Sequence, residues 1–546
     1  MIDKNGKSHR KNSRARSFLF FLLKGGYMST SSAQMLISMV LYMSVVIGIG
    51  IYFAKRANQS SENYYLGGRS LGPWVAAFSA EASDMSGWLL MGLPGLAYWT
   101  GLADAFWTAI GLALGTYINW LLVARRLRNY SHIAGDAITL PDFFSQRFHE
   151  EKKVILTISS LFILIFFCVY AASCFVTCGK LFSSIFNADY RLMMLCGVAF
   201  VVIYTFLGGF LAESTSDFMQ AIIMVFALIV VLVSGTAAAG GVGQVLENVR
   251  NIPGFLEFFS TASPVLDEAG QQVISQTGPV FGQAEAYPIL NVLSMLAWGL
   301  GYFGMPQVLL RFMAIRKADE LKKSRRVATV WVLISLLSAV TIGLVGRAFA
   351  PAAFTNASDA ENIFSYLAGT LMHPLFAGLV MAGILAATIS SSDSYLLIAA
   401  SAFSKNLFQG VFHRKANDSQ VMVVSRVTLI VIALIGAVIA LDENSIIFTI
   451  VSFAWAGFGA TFGPLMLFSL FWKRTTKAGA VAGMLSGGIM VFVWNFLIKP
   501  LGGIFAIYEL LPAFIISSIF IVAVSLLTAE PDKTVEEEFE RAKTDL

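Results

Sequence analysis

The sequence is poor in charged residues, cysteine and histidine, and each shortage excludes a class of protein. Only 13% of the 546 residues are charged, about half the fraction of a soluble domain. The 4 cysteines and 5 histidines follow no metal-ligand, disulfide or catalytic spacing. No glycine-rich phosphate loop of the Walker A type occurs, so ATP does not drive this chain. We therefore expect neither an enzyme nor a nucleic-acid-binding protein.

Apolar residues make up 57% of the chain and are grouped in long segments. Windows of about 19 residues give thirteen candidates for membrane-spanning helices. The sequence thus predicts one polytopic, all-α membrane domain over 28–530. The segments, numbered here in chain order, are 34–54, 73–99, 103–123, 154–178, 192–210, 218–238, 289–310, 327–349, 375–398, 421–441, 446–471, 478–498 and 504–527.

Lysine and arginine are distributed unevenly between the loops. If the stretch before segment 1 lies outside, the inside loops hold 26 basic residues and the outside loops hold 5. By the positive-inside rule, this places the N-terminus outside and the C-terminus in the cytoplasm. The polar tail, 531–546, is then predicted to be a solvated cytoplasmic end.

Residues 1–27 do not fit this orientation, because they carry 7 further basic residues on the outside. Their apolar run at 18–23 is too short to span a bilayer, and no small-residue cleavage site follows it. We expect translation to begin at Met28, so that 1–27 is an extension that is not translated.

Segment 2 contains the polar stretch Ala82-Ser83-Asp84-Met85-Ser86-Gly87-Trp88 in its middle. Charged groups at this depth are usually found facing a water-filled cavity or an ion. An interrupted helix also exposes backbone carbonyls, which is tolerated where they line a site. The stretch therefore predicts a broken helix that binds a cation and a solute.

Segment 7 has a second interruption signal, WGLGYFGMP at 298–306, whose three glycines and proline weaken a helix. Paired broken helices in two halves of a transporter mark a binding site near the membrane centre. The five-segment separation predicts two inverted repeats, about 73–238 and 289–471. The alternative is two kinked helices that pack closely through glycine.

Segment 9 places Ala387, Ser390 and Ser391 on one helical face, because their spacing is i, i+3 and i+4. Two hydroxyls, the Ala387 carbonyl and the carbonyls of Ala82 and Met85 would give five oxygen ligands. Such a set suits sodium, which needs no dense carboxylate cage of the kind calcium prefers. The alternative is that the serines bond back to their own helix.

Several motifs resemble those of the sodium/solute symporter family, and of its bacterial proline-transporting branch in particular. The resemblance runs from about Met28 to the last segment. It implies a leucine-transporter-like fold with an inverted five-plus-five repeat. The motifs are YLGGRSLGP at 65–73, SDMSGWLLMGLPG at 83–95, LPDFF at 140–144, TFLGGFLA at 205–212, WGLGYFG at 298–304, SFAWAGFG at 452–459 and FWKR at 471–474.

The resemblance also implies roles for individual residues. It assigns sodium to the five groups just described, and makes Asp84 and Asp217 carboxylates that support sodium binding and release. Asp84 could instead be a cavity carboxylate without that role, and Asp217 a charge at a loop edge. Arg69 and Arg311 are read either as gating residues or as positive-inside anchors. The substrate-binding positions, whose aromatic members could also be core packing, are Tyr170, Ser86, Gly87, Trp298, Tyr302 and Pro306.

Four residues depart from the family pattern. Ser391 replaces the common threonine but keeps the hydroxyl, and Met305 stands where the proline branch often has glutamine. Glu81 replaces a small residue beside the ion motif. Asp393 lies outside the pattern, and we expect it to face the cytoplasmic vestibule, where its protonation would affect ion release.

The function implied is sodium-coupled import of L-proline across the bacterial cytoplasmic membrane. One alternative is a sodium symporter for another small solute, such as pantothenate, a sugar or a monocarboxylate. A more distant alternative is a membrane sensor that binds solute without moving it.

Overall fold

The computed structural model describes residues 29–57 and 61–544. The predicted extension 1–27 lies outside these ranges. The all-α class is confirmed, since the described part holds only four two-residue strands beside its helices. The helices that contain or form the apolar segments are Thr30–Ala57, Pro73–Asp84 with Leu93–Thr100, Leu102–Ile118, Val154–Phe186, Tyr190–Ala238, Ile289–Leu296 with Trp298–Gly301 and Pro306–Ala314, Leu321–Phe349, Pro374–Ser401, Asp418–Ile439, Ile447–Phe471, Lys477–Val493 and Leu510–Leu527.

Both predicted interruptions are present. In segment 2, the helix Pro73–Asp84 is followed by Met85, whose ψ of 75° turns the backbone out of the helix. A π-helical turn, Trp88–Gly92, then leads into Leu93–Thr100. In segment 7, the axis bends by 40° between Ile289–Gly301 and Pro306–Ala314. Pro306 starts the second half, where its missing N–H and fixed φ fit the first helical position.

The number of membrane crossings remains a prediction. Ten helices of the described part are long and apolar enough to cross a membrane, or eleven with the bent pair of segment 7. Segment 2 fails this test because its break leaves two short halves. Segment 5 is the apolar helix Tyr190–Phe206, which is shorter than a usual crossing. It joins segment 6 through a kink at Gly209, where φ is +62°.

Segment 9 occupies the centre of the molecule, and its helix is buried along nearly its whole length. It packs against segments 1, 4 and 6 and against the first half of segment 2. A central helix with hydroxyls and a carboxylate must satisfy them internally, because no water reaches them from lipid. The polar groups of segment 9 are therefore found where its helix packs against segment 2.

The loop over 239–288 forms a small folded cap outside the bundle. Its helix is Val242–Arg250, and its strands Ser260–Thr261 and Glu285–Ala286 pair antiparallel with Ser260 opposite Ala286. Strands Ile274–Ser275 and Gly278–Pro279 pair in the same sense, with Ile274 opposite Pro279.

The C-terminal tail is not simply solvated, which corrects the sequence-based expectation. Residues Lys533–Thr544 form a helix that packs on Ala124–Ile133. The helix buries Phe539, whose ring lies 5.3 Å from the Arg147 guanidinium. Glu538 pairs with His149 at 2.9 Å. Val535, Phe539 and Ala542 share one apolar face, so the tail is an amphipathic helix docked on the bundle.

Candidate functional site

Oxygen atoms from segments 2 and 9 meet at the break in segment 2. Ser390 Oγ donates to the Ala82 carbonyl at 2.8 Å and to the Ala387 carbonyl at 3.2 Å. Ser391 Oγ donates to the same Ala82 carbonyl at 3.3 Å. The structure thus brings together four of the five predicted sodium ligands, and Met85 lies three residues along at the end of the helix. The bond from Ser390 to the Ala387 carbonyl lies within one helix, as expected from the alternative in which the serines bond to their own helix.

The chemistry of this cluster fits a hard monovalent cation. The oxygen atoms that could bind a cation belong to neutral hydroxyl and carbonyl groups, and the residues that carry them are completely buried. In the described part of the chain, no three His, Cys, Asp or Glu side chains are grouped as a metal site. Calcium and magnesium are usually bound through carboxylates and water, whereas the five groups of this set are neutral, and the acids Glu81 and Asp84 are their neighbours in the chain.

Asp84 connects the two broken segments. It is the last residue of its helix, and its Oδ2 accepts a 2.9 Å hydrogen bond from the Tyr302 hydroxyl. The Gln307 amide lies 3.5 Å from the other carboxylate oxygen. The carboxylate therefore ties the break of segment 2 to both sides of the break in segment 7.

Aromatic side chains are clustered beside the breaks. Trp298 stacks on Tyr508 at 5.1 Å between ring centroids and lies 6.0 Å from Trp88. The Trp455 indole donates to the Trp298 carbonyl at 2.8 Å and meets the Tyr302 ring edge-on at 5.1 Å. The predicted Trp298 and Tyr302 thus belong to one aromatic group, to which Trp455 and Tyr508 are additions that sequence reasoning missed.

Tyr170 belongs to a second aromatic pair, stacked on Tyr395 of segment 9 at 4.2 Å. Seven residues further on the same helical face, Thr177 touches Gly87 so closely that a β-carbon there would lie 2.3 Å from its hydroxyl. Tyr170 therefore faces the break of segment 2. The Ser86 hydroxyl at this break is buried and has no hydrogen-bond partner among the described residues, so it is available to a bound solute.

Arg311 is not a surface anchor, which corrects one of its two sequence-based readings. It is completely buried and donates to Ser79 at 3.0 Å and to Asp217 at 3.2 Å. It also bonds to Glu213 and, at 2.9 Å, to Ser394. Asp217 is accordingly buried in an ion-pair cluster and is not a loop-edge charge. Glu213 was missed, although its i, i+4 spacing from Asp217 places two acids on one helical face.

Asp393 lies beside this charged cluster. It is 1% exposed and accepts the backbone N–H of Ser394 at 2.8 Å. Together with Tyr204 and Glu213 it borders a cavity of about 10 Å³, roughly the space of one water. The structure thus places this carboxylate beside a small cavity, and its predicted exposure to a cytoplasmic vestibule and its effect on ion release stay predictions.

Arg69 connects three parts of the chain at one end of the bundle. Its guanidinium donates to the carbonyls of Met313 at 2.9 Å and Ala137 at 2.7 Å, and pairs with Asp136 at 3.0 Å. It therefore joins the entry of segment 2 to the end of segment 7. Whether Arg69 is a gating residue or a positive-inside anchor stays a prediction.

Comparison with known proteins shows the family of the chain and several similar proteins. The model of the sodium:solute symporter family matches residues 64–487. Sodium/proline symporters of Staphylococcus aureus strains USA300 / TCH1516 and NCTC 8325 are each 41% identical to the chain over 516 residues, which is 93% of this chain and 96% of the relative.

Solved structures share the fold at low sequence identity. A Na⁺-coupled sialic acid symporter in a substrate-bound outward-open state aligns with a TM-score of 0.70 and 18% identity, covering 92% of this chain and 99% of that one. MhsT in complex with L-phenylalanine aligns with a TM-score of 0.51 and 12% identity, covering 83% and 97%. The predicted leucine-transporter-like fold is thereby confirmed.

Proposed function

Because the chain belongs to the sodium:solute symporter family, we propose that it imports L-proline across the bacterial cytoplasmic membrane, driven by the sodium gradient. Proline is supported by the name shared by the Staphylococcus aureus relatives, which match along nearly the full length of both chains. The observation that carries the sodium coupling is the meeting of Ser390, Ser391 and the Ala82 carbonyl at the break of segment 2.

In this proposal, sodium is held by the carbonyls of Ala82, Met85 and Ala387 and by the hydroxyls of Ser390 and Ser391. The two hydroxyls now donate to carbonyls. With sodium bound, their hydrogens would turn away and their lone pairs would face the ion. The Asp84 carboxylate supplies negative charge in a region of low dielectric, where a cation needs it most.

Proline would bind between the two broken segments. The faces of Trp298 and Tyr302 suit its apolar ring and attract its cationic nitrogen. Backbone N–H groups at the two helix starts that follow the breaks, at Gly87 and after Pro306, suit its carboxylate, because the start of a helix carries partial positive charge. Tyr170 would close the pocket from segment 4.

Coupling follows from the shared break. Sodium that joins segment 2 to segment 9 organises the backbone at 82–87, which also forms part of the proline pocket. By linkage, proline then raises the affinity for sodium by the same factor by which sodium raises the affinity for proline. Asp217 beside Arg311 would assist sodium release on the cytoplasmic side, and Arg69 would hold that side closed.

We further propose that the N-terminus lies outside and the C-terminus in the cytoplasm. Single cysteines at Gln276 in the outside cap and Glu537 in the tail, both exposed, would report this orientation in a background whose four native cysteines are replaced by alanine. In intact cells, a membrane-impermeant maleimide should label Gln276→Cys and spare Glu537→Cys. The reverse pattern would contradict the orientation.

Uptake of radiolabelled proline into proteoliposomes tests the function, with and without an inward sodium gradient. The double variant Ser390→Ala/Ser391→Ala should lose sodium-dependent uptake, because two of five ligands are removed. Ser392→Ala is the matched control, since the Ser392 hydroxyl bonds only within its own helix, to Thr388 at 2.6 Å and Ile389 at 3.4 Å. Equal loss in the control would show a packing defect instead of a sodium site.

Two other outcomes would redirect the proposal. Sodium-dependent uptake of pantothenate, a sugar or a monocarboxylate in place of proline would keep the symport and change the solute, with Met305 the first position to examine. Binding without counterflow of labelled proline would instead indicate a sensor.

A further inference from the structure

Segment 3 contains a π-helical turn, Asn119–Val123, directly after the helix Leu102–Ile118. π-helical turns are uncommon inside α-helices and are often found at functional sites. The wider turn directs two successive side chains, Asn119 and Trp120, toward different neighbours. One reaches the broken helix of segment 7, and the other reaches the broken helix of segment 2.

Trp120 contacts both broken segments. Its indole N–H donates to Glu81 Oε1 at 3.1 Å, on the last turn before the break of segment 2. Its ring meets the Phe312 ring of segment 7 at 4.5 Å between centroids. Glu81 is completely buried and Trp120 is nearly so, which makes this indole–carboxylate bond a contact inside the bundle.

Asn119 holds the other interruption. Its amide donates to the Tyr302 carbonyl at 3.0 Å, just after the short helix Trp298–Gly301 ends. A carbonyl released by a broken helix needs such a partner when it is buried. The same residue, Tyr302, donates through its hydroxyl to Asp84 at 2.9 Å.

These contacts close into a ring across three segments. Trp120 bonds to Glu81, and Glu81 lies one helical turn from Asp84. Asp84 accepts from Tyr302, and the Tyr302 carbonyl accepts from Asn119, the neighbour of Trp120. All five residues are buried, so each bond is protected from water and its loss leaves an unpaired polar group.

Segment 3 is also in direct backbone contact with segment 7. A β-carbon on Gly115 would lie 2.4 Å from the Gly299 carbonyl oxygen, and one on Gly299 would lie 2.2 Å from the Gly111 carbonyl oxygen. The two backbones are thus packed directly against each other. The turn at 81–84 is connected to segment 7 by two routes, through Tyr302 directly and through segment 3.

We propose that Asn119 and Trp120 are positioning residues that set the two broken helices relative to each other and transmit sodium binding to the solute pocket. The proposal rests on the proposed function, because it assigns sodium to the Ala82 carbonyl and solute to the Tyr302 side. Sodium drawn to Ala82 orients the adjacent Glu81 and the nearby Asp84. The ring then fixes Tyr302 in its solute-binding position.

The test is the factor by which saturating sodium lowers the proline Kd of purified protein. Trp120→Phe and Asn119→Ala should each reduce this factor by about fivefold or more, a size typical of coupling between sites. Glu81→Gln keeps an acceptor oxygen for the indole and should retain the coupling, whereas Glu81→Leu should lose it.

Two matched controls separate positioning from simple stability. Trp331→Phe removes a buried indole bond to the Ala221 carbonyl, and Asn406→Ala removes a buried amide bond to Thr139. Neither residue touches the ring, so both variants should keep the full coupling factor. An unchanged factor in Trp120→Phe and Asn119→Ala, or an equal loss in the controls, would overturn the proposal.

A second readout needs no solute. In a background whose four native cysteines are replaced by alanine, the alkylation rate of Phe303→Cys, next to Tyr302, should change when sodium is added. Trp120→Phe or Asn119→Ala should abolish that change. Loss of the sodium response would support the proposal even if proline did not bind, which would reject only the proposed solute. A sodium response that survives both substitutions would contradict the transmission.

Discussion

Gly87 is the residue at which the break of segment 2 is most sensitive to size. A β-carbon here would lie 2.3 Å from Thr177 Oγ1 and 2.4 Å from its methyl carbon. Gly87→Ala should therefore push segments 2 and 4 apart at the proposed pocket and raise the proline KM by about tenfold or more, because small misplacements at a site are costly.

Thr177→Ala in the same protein removes two of the clashing atoms, so the double variant should recover part of the lost affinity. Uptake kinetics at saturating sodium would measure both effects. A proline KM that is the same in Gly87→Ala and wild type would show that this contact does not shape the pocket.

Arg311 balances two buried carboxylates, Glu213 and Asp217. Arg311→Met would leave both acids without their cation, and breaking a buried ion pair from one side costs about 3–5 kcal/mol. We expect a clear loss of thermal stability of the detergent-solubilised protein. Arg311→Lys should recover only part of it, since a lysine cannot reproduce the guanidinium fork that reaches Ser79, Asp217 and Ser394.

A variant that neutralises all three charges, Arg311→Met with Glu213→Gln and Asp217→Asn, separates charge balance from packing. It should be more stable than Arg311→Met alone. If it is equally unstable, the ion pairs are not what Arg311 contributes.

Single residues also show where sequence reasoning stops. Ser390 and Ser391 were found because i, i+3 and i+4 spacing is a local property of a helix. Arg311 was left open between a gating residue and an anchor, because its carboxylate partners lie 98 and 94 residues away. Glu81 was recognised as unusual, but its indole partner 39 residues away carried no local signal.

At the scale of elements, the helix interruptions could be predicted from the sequence, but the neighbouring elements that pack against the bundle could not. Glycine, proline and an acid inside an apolar run conflict with a continuous membrane helix, so the breaks at Asp84 and Pro306 follow from the sequence. The π-helical turn Asn119–Val123 lies in ordinary apolar sequence, and only packing against two other segments shows its use. The docked tail was missed because its apolar positions are few and lie among charged residues.

The tail helix should be held by Phe539. Its ring is one of three that surround the buried Arg147 guanidinium, the others belonging to Tyr130 and Phe148. Phe539→Ala removes a cation–π contact of about 0.5–2 kcal/mol together with buried apolar area. Backbone hydrogen exchange over Lys533–Thr544 should then rise, while the proline KM stays unchanged.

Glu537→Ala, at an exposed position of the same helix, is the matched control and should leave exchange as in wild type. Unchanged exchange in Phe539→Ala would mean that Val535, Ala542 and the His149–Glu538 pair suffice to hold the helix.

For the whole molecule, composition and hydropathy predict the class, and the fold follows from the paired breaks. The count of crossings is harder, because segments 2 and 5 owe their lengths to a break and to a kink that hydropathy does not register. The driving force of a sodium symporter is the ion gradient together with the membrane potential, and neither depends on the energy of the fold. The energetics of transport can therefore be predicted from the charge that is moved.

Proline is a zwitterion without net charge, so a cycle with one sodium ion moves one positive charge inward. A potential of 100 mV then contributes about 2.3 kcal/mol, which corresponds to about a fiftyfold change in the limiting accumulation ratio. Proteoliposomes with equal sodium on both sides and a potassium diffusion potential set by valinomycin should accumulate proline when negative inside. Two sodium ions per proline would square this limit to about 2,500-fold. Accumulation that does not depend on the membrane potential would contradict net charge movement. It would then also contradict the coupling of neutral proline to sodium alone.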